Sequence, residues 1–317
     1  MKRALSFTLV VSLIAACSNP PQDLTWSRIN LPAYGRVVLT DVADCGDQWW
    51  AVGAIQASDG ATRPAAWTGG PEGSWTPVDF APLPSSYYGP LQTIRSVACF
   101  SGRVAMVGAV PGGAHGNPRV STWRRLPDGR MTENAAPFET YGGDEAVDVG
   151  PIAAGPRGFA IAGNRSSGAA AWFSADGVTF TLSESRHAGT VARDVTSLPD
   201  GRWLIVGDGT WLEPWAEEDV PVFERVVRAG DVVLAAGGSG VWRRRDGAWS
   251  MAETYEGIPP SVRSMAVLAG HSVIAGNGLR IAGQRRNSPG EPVAVAARDT
   301  TLLLATDDSL WHTTVHR

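Results

Sequence analysis

The sequence predicts an all-β fold: a seven-bladed β-propeller of four-stranded antiparallel blades covering residues 24–317. Three observations predict it. A short apolar run ending in glycine recurs along the chain, with a mean period of about 42 residues. Gly 37, Pro 22 and Trp 13 are high counts. They favour many turns joining short strands, with large aromatic side chains packed on sheet faces. Finally, the last unit lacks a fourth strand, and a strand-like segment precedes the first unit.

The chain opens with Lys2 and Arg3, followed by an apolar stretch from Leu5 to Ala16. That stretch is shorter than the roughly 20 residues a spanning helix needs. It ends Leu13-Ile14-Ala15-Ala16-Cys17, small residues running directly into a cysteine. The pattern resembles a bacterial lipobox. The resemblance implies a signal peptide over residues 1–16, acylation of Cys17 and a lipidated tether over 17–23. It places the protein in the bacterial cell envelope, extracytoplasmic and held to the membrane by lipid, since attached acyl chains bury enough CH₂ to anchor. Loss of Lys2 and Arg3 leaves the exported chain with a formal charge of −6, against −4 for the whole sequence. An acidic surface of this kind excludes nucleic acid as the main partner. Cys45 and Cys99 remain, in the matching contexts Val-Ala-Asp-Cys and Val-Ala-Cys. In an oxidising compartment they read as a disulfide.

The repeat then runs through Trp50–Gly53, Ala105–Gly108, Ala160–Gly163, Leu204–Gly207, Leu234–Gly237 and Val273–Gly276, with a weaker copy at Leu303–Thr306. About 11 residues before each glycine lies another apolar run, such as Ile94–Ala98 or Val262–Val267. A Gly- or Pro-containing turn joins the two, which is a hairpin signal. Beyond the glycine come a variable loop, a strand centred on Trp67, Trp123, Trp172, Trp242 or Trp311, and a closing strand near Trp75, Met131, Phe180 or Trp249. One such unit cannot cover both faces of its sheet, whereas a closed ring of them can. Leu24–Ile29 reads as the closing strand of the last blade, leaving the ring with no open seam.

Ser174-Ala175-Asp176-Gly177-Val178-Thr179-Phe180 resembles the Asp-box turn of sialidase-like and BNR-repeat propellers, one residue shorter and with Phe for Trp. The resemblance implies an outer-rim turn with no chemistry of its own. It also raises an alternative activity, a sialidase-like glycoside hydrolase acting on acidic sugars, which would use a Tyr nucleophile with an acidic helper. Tyr255-Glu256 is the candidate pair. The first unit departs from the pattern, with Thr40-Asp41 where an arginine would be needed.

No standard enzyme or metal signature is present, and no cofactor or metal is expected. Two distributions stand out. Arg95, Arg193 and Arg263 occupy equivalent positions near the starts of the second, fourth and sixth inner strands, at the mouth of the central channel. Three guanidinium groups converging there suit a carboxylate or phosphate. Otherwise they pair with Asp41, Asp194 or Glu224 at the same level. All five tyrosines, including Tyr34, Tyr88, Tyr141 and Tyr255, fall in loops leading to inner strands, on the same face. Loops after Gly53 and Gly108 carry Arg63, His115 and Arg119 there too. The leading expectation is a monomeric, non-enzymatic, membrane-anchored propeller that binds a protein partner or an anionic carbohydrate at this face.

Overall fold

A computed structural model describes residues 23–112 and 117–315. The signal segment, Cys17 and the tether up to residue 22 lie outside the described residues, as do His115 and His316. The chain forms a seven-bladed propeller. Its innermost strands, in chain order, are Arg36–Asp44, Thr93–Phe100, Ala146–Gly155, Ala192–Ser197, Arg225–Ala229, Val262–Leu268 and Ala294–Arg298. Each begins a meander of antiparallel strands running outward. The seventh blade takes its outermost strand from the other end of the chain. Ser27–Ile29 pairs antiparallel with Leu310–Thr314, Ile29 standing opposite Leu310. Blade 2 departs from four strands. Phe80–Ala81 adds a fifth, parallel to Met131–Glu133, and the Phe80 ring sits edge-on to Trp123 at 5.2 Å.

The core lies between blades. Alternate residues of a strand face opposite neighbours, so Trp49 packs towards blade 7 with Leu303 and Leu310. Trp50 packs towards blade 2 with Met106 and Trp123. Trp67, Trp123 and Trp172 are fully buried on third strands, as their spacing predicts, and Trp211 does the same in blade 4. The strand carrying Trp211 is only three residues long, which is why it escapes the sequence pattern.

The repeated glycine has a steric cause. At Gly53, Gly207 and Gly276 an added Cβ would stand within 2 Å of the backbone carbonyls of Val38, Val191 and Ser261, within the first residues of the inner strand or just before it. Blade 7 carries Thr306 instead.

A belt of hydrogen bonds joins all seven blades near the channel mouth. An inner strand is a sheet edge whose free N–H groups need partners. Val97 N donates to Asp41 Oδ2 at 3.0 Å, Ile152 N to Ser96 Oγ at 3.2 Å and Ala192 N to Asn164 Oδ1 at 2.9 Å. Val226 N donates to Asp194 Oδ2 at 2.9 Å, Val262 N to Glu224 Oε2 at 3.0 Å and Val295 N to Ser264 Oγ at 3.1 Å. The ring closes where Leu39 N donates to the Asp307 carbonyl at 2.7 Å. Each of these acceptors belongs to the blade preceding its donor.

The Asp176 turn follows the predicted physics. Val178 N and Thr179 N donate to Asp176 Oδ1 at 2.8 and 3.1 Å, as does Ser174 Oγ at 3.0 Å. Phe180 is buried beside the turn. Partial burial works to raise the Asp176 carboxyl, but these bonds outweigh it and hold it below the usual range.

Cys45 and Cys99 form a disulfide, with a Cα–Cα distance of 5.6 Å across a sequence separation of 54 residues. It ties blade 1 to blade 2 at the end of their inner strands. Closing a loop of that length in the unfolded chain corresponds to about 4 kcal/mol. The Cys45→Ser/Cys99→Ser protein is therefore expected to lose about 3 kcal/mol in urea unfolding. A loss below about 1 kcal/mol would show that the bridge does not constrain the unfolded chain.

Candidate functional site

The inner strands of blades 1 to 6 enclose a central cavity of about 810 Å³. Its mouth is shaped by bulges. The ladder between first and second strands shifts register at Thr40, Arg95, Arg193 and Arg263, and over Gly150-Pro151 in blade 3. A bulge re-aims the extra residue. Arg95, Arg193 and Arg263 all line the cavity, so the structure brings the three predicted arginines together. Arg225 of blade 5 joins them. It stands at the head of its strand without a bulge, so aligning on the recurrent glycine does not find it.

Each of the three arginines shares its charge with a carboxylate. Arg95 pairs with Asp148 at 3.0 Å, Arg193 with Asp208 at 2.6 Å and Arg263 with Glu291 at 2.6 Å. These are not the partners expected from position along the strand. Asp148 and Glu291 sit at the entry to the next blade, whereas Asp208 lies in the turn that follows the second strand of Arg193's own blade. Asp41 and Asp194 instead belong to the hydrogen-bond belt, and Glu224 likewise. Arg225 donates to the carbonyls of Arg263 and Glu224, both at 2.7 Å.

Asp41 and Asp194 are the unusual acids. Burial pushes Asp41 up to about 6. The N–H groups of Val97 and Val42 and the Ser96 hydroxyl pull the other way, while the charge of Asp194 across the cavity adds to the rise. Burial also lifts Asp194 to about 6, against the lowering effect of Arg225 and of the Val226 and Val195 N–H groups. The lining carries five arginines and three aspartates, so it holds a net positive formal charge that increases once these two carboxyls are protonated.

The tyrosines do not enter this cavity. Tyr34 is 96% exposed and borders a groove with Arg63, Pro64 and Trp67 on blade 1. Tyr88 and Tyr141 meet in a second pocket of about 500 Å³ between blades 2 and 3. Tyr141 is buried there beside the Thr122 hydroxyl, 3.3 Å away, and burial raises its phenol well above the usual range. Tyr255 packs near Arg280, whose guanidinium lies 5.9 Å from the ring centroid, and burial raises its phenol too. Neither Tyr255 nor Glu256 lines the central cavity, so that pair does not meet the three arginines. Among the described residues, no group of three or more His, Cys, Asp or Glu side chains is placed to hold a metal ion. Among the same residues, no helix is long and apolar enough to cross a membrane.

Solved structures share this architecture. Virginiamycin B lyase from Staphylococcus aureus superposes with a TM-score of 0.64 at 15% identity, covering 93% of this chain and 100% of that one. YCF48 bound to D1 peptide gives 0.58 at 15% identity, covering 95% and 100%. The WD40 propeller domain of Doa1 gives 0.59 at 13%, covering 93% and 98%. The likeness is one of fold alone. No protein-family model matches the sequence, and no curated protein is significantly similar to it.

Proposed function

We propose that this is an exported, lipid-anchored envelope protein whose propeller docks a protein partner on its channel-mouth face and performs no catalysis itself. The distribution of exposed apolar side chains carries the reading. Eight large ones are exposed among the described residues. Seven of them (Tyr34, Tyr87, Leu91, Phe138, Val147, Val222 and Ile258) lie in segments entering inner strands or at the start of one. The exception, Met251, sits on the outermost strand of blade 5. Exposed apolar groups gathered on one face favour a protein interface. They surround a mouth whose lining is rich in arginine, which favours a partner presenting acidic groups there. A peptide is held by YCF48, a propeller of the same architecture. The anchor rests on the residues leading to Cys17. The sialidase-like alternative draws only on the Asp176 turn and the arginines, and Tyr255 does not line their cavity.

A photo-crosslinking residue placed at Tyr87, Ile258 or Met251 tests the docking face in cells that export the full chain. Discrete crosslinked products are expected at Tyr87 and Ile258 and none at Met251. Equal labelling at all three positions, or none at any, would sink the reading. In the same cells Cys17→Ser is expected to abolish incorporation of a clickable fatty acid. Retained label would remove the anchor from the proposal.

A further inference from the structure

We propose that the pocket between blades 2 and 3 is a separate small-ligand site for a sugar acid, with the carboxylate held by Arg119 and the ring face laid on an aromatic wall. The site shares Phe138 with the docking face, but the argument for it does not depend on the docking reading.

Arg119, at the start of the third strand of blade 2, has its guanidinium carbon 5.9 Å from the Tyr88 ring centroid and 5.2 Å from that of Phe138. One ring comes from the loop entering blade 2 and the other from the loop entering blade 3. A cation between two aromatic rings is held in place by their faces. Its state differs from that of the arginines in the central cavity. Arg95, Arg193 and Arg263 each face a carboxylate. The Nε of Arg119 is buried without a hydrogen-bond partner among the described residues. Its two Nη groups, with no carboxylate partner among the described residues, can take a ligand carboxylate in two-point contact.

The floor is already organised. Glu133 is buried, 5% exposed. Its oxygens accept from Leu83 N at 3.0 Å, Ser86 Oγ at 2.9 Å and Ser121 Oγ at 2.6 Å. Gln92 Nε2 donates to Ser121 Oγ at 2.8 Å. This network fixes the loop that carries Tyr88, and Gln92 Nε2 also donates to the Arg119 carbonyl at 3.3 Å, while the Arg119 guanidinium takes no part in it. The cavity of about 500 Å³ falls within the usual range for small-ligand sites. Aromatic walls beside a cation with no carboxylate partner among the described residues favour a ligand with a carbon-rich ring face and one carboxylate over a bare inorganic anion.

The test titrates the full chain in detergent micelles with D-glucuronate, D-glucose and acetate, following binding by saturation-transfer NMR. Glucuronate is expected to bind at least tenfold more tightly than either glucose, which lacks the charge, or acetate, which lacks the ring. Arg119→Gln is expected to weaken glucuronate at least tenfold, and Phe138→Ala to do so while keeping the cation. Arg130→Gln, in an exposed turn, is expected to leave it unchanged. If Arg119→Gln does not fold, Phe138→Ala decides the matter, since Phe138 is largely exposed. Equal affinity for acetate and glucuronate, no binding of glucuronate, or unaltered binding in a folded Arg119→Gln or Phe138→Ala protein would overturn the proposal.

Discussion

Acidification from pH 7 to pH 4.5 is expected to stabilise the protein. Asp41 and Asp194 both titrate near 6 in the folded state, against about 3.9 in an unfolded chain. The folded state therefore binds more protons than the unfolded one between these values, and stability rises as pH falls. The contribution is complete below about pH 4 and is lost as pH rises through 6. A displacement of about two units corresponds to about 3 kcal/mol for each carboxyl. Below pH 4 the trend reverses, because Asp176 and Asp200 titrate lower than usual when folded. Urea midpoints measured across pH 4 to 8 should peak near pH 4.5. Replacing both residues, Asp41→Asn/Asp194→Asn, should flatten the profile while keeping one acceptor oxygen for each neighbouring strand. A midpoint that falls on acidification in the native protein would refute the assignment.

Breaking the N-terminal clasp is expected to destabilise the whole ring. Ile29 is buried against Trp49, Leu303 and Leu310. Leu24 N donates to Asn287 Oδ1 at 2.7 Å, and Asn287 Nδ2 donates back to the Leu24 carbonyl at 2.9 Å. Leu24 and Trp26 also pack beside Trp311. Ile29→Asp removes the buried side chain and leaves a charge in its place, a change of about 4 kcal/mol. It also frees the edge of Leu310–Thr314 for pairing with another chain. Urea unfolding should report that loss, and dynamic light scattering should report association at partial denaturation. A loss below about 1 kcal/mol would mean that the other six blades hold the ring shut without the clasp.

Much of this architecture is legible in the sequence, because the features that carry it are local and repeated. At five of the six recurrent glycines a backbone carbonyl is pressed against the place of an added Cβ, so the period marks those blades directly. The clasp is visible as a missing strand at one end and a spare one at the other. Cys45 and Cys99 occupy matching places in successive units, which puts them within reach of each other. The fifth strand of blade 2 is not legible, since Phe80–Ala81 pairs parallel to a strand 51 residues on and carries no alternation of its own. The candidate sites divide in the same way. The convergence of Arg95, Arg193 and Arg263 follows from position within the repeat. Their partners Asp148 and Glu291 follow from the angle between blades, which no pattern along the chain encodes, while Asp208 pairs within blade 4, one residue past the recurrent Gly207. The same holds for Arg119 between Tyr88 and Phe138, whose three residues come from three different loops and strands.

The clasp has one more consequence, for orientation. Inner strands run away from the channel mouth, second strands return, third strands run away again and outermost strands return. Ser27–Ile29 is an outermost strand, so the chain enters it at the face opposite the mouth. Seven residues of fully extended chain reach about 25 Å at most. With a lipid on Cys17, that leash would hang from the underside of the disc. The propeller would then stand with its back to the bilayer and its arginine-lined opening turned to whatever passes above.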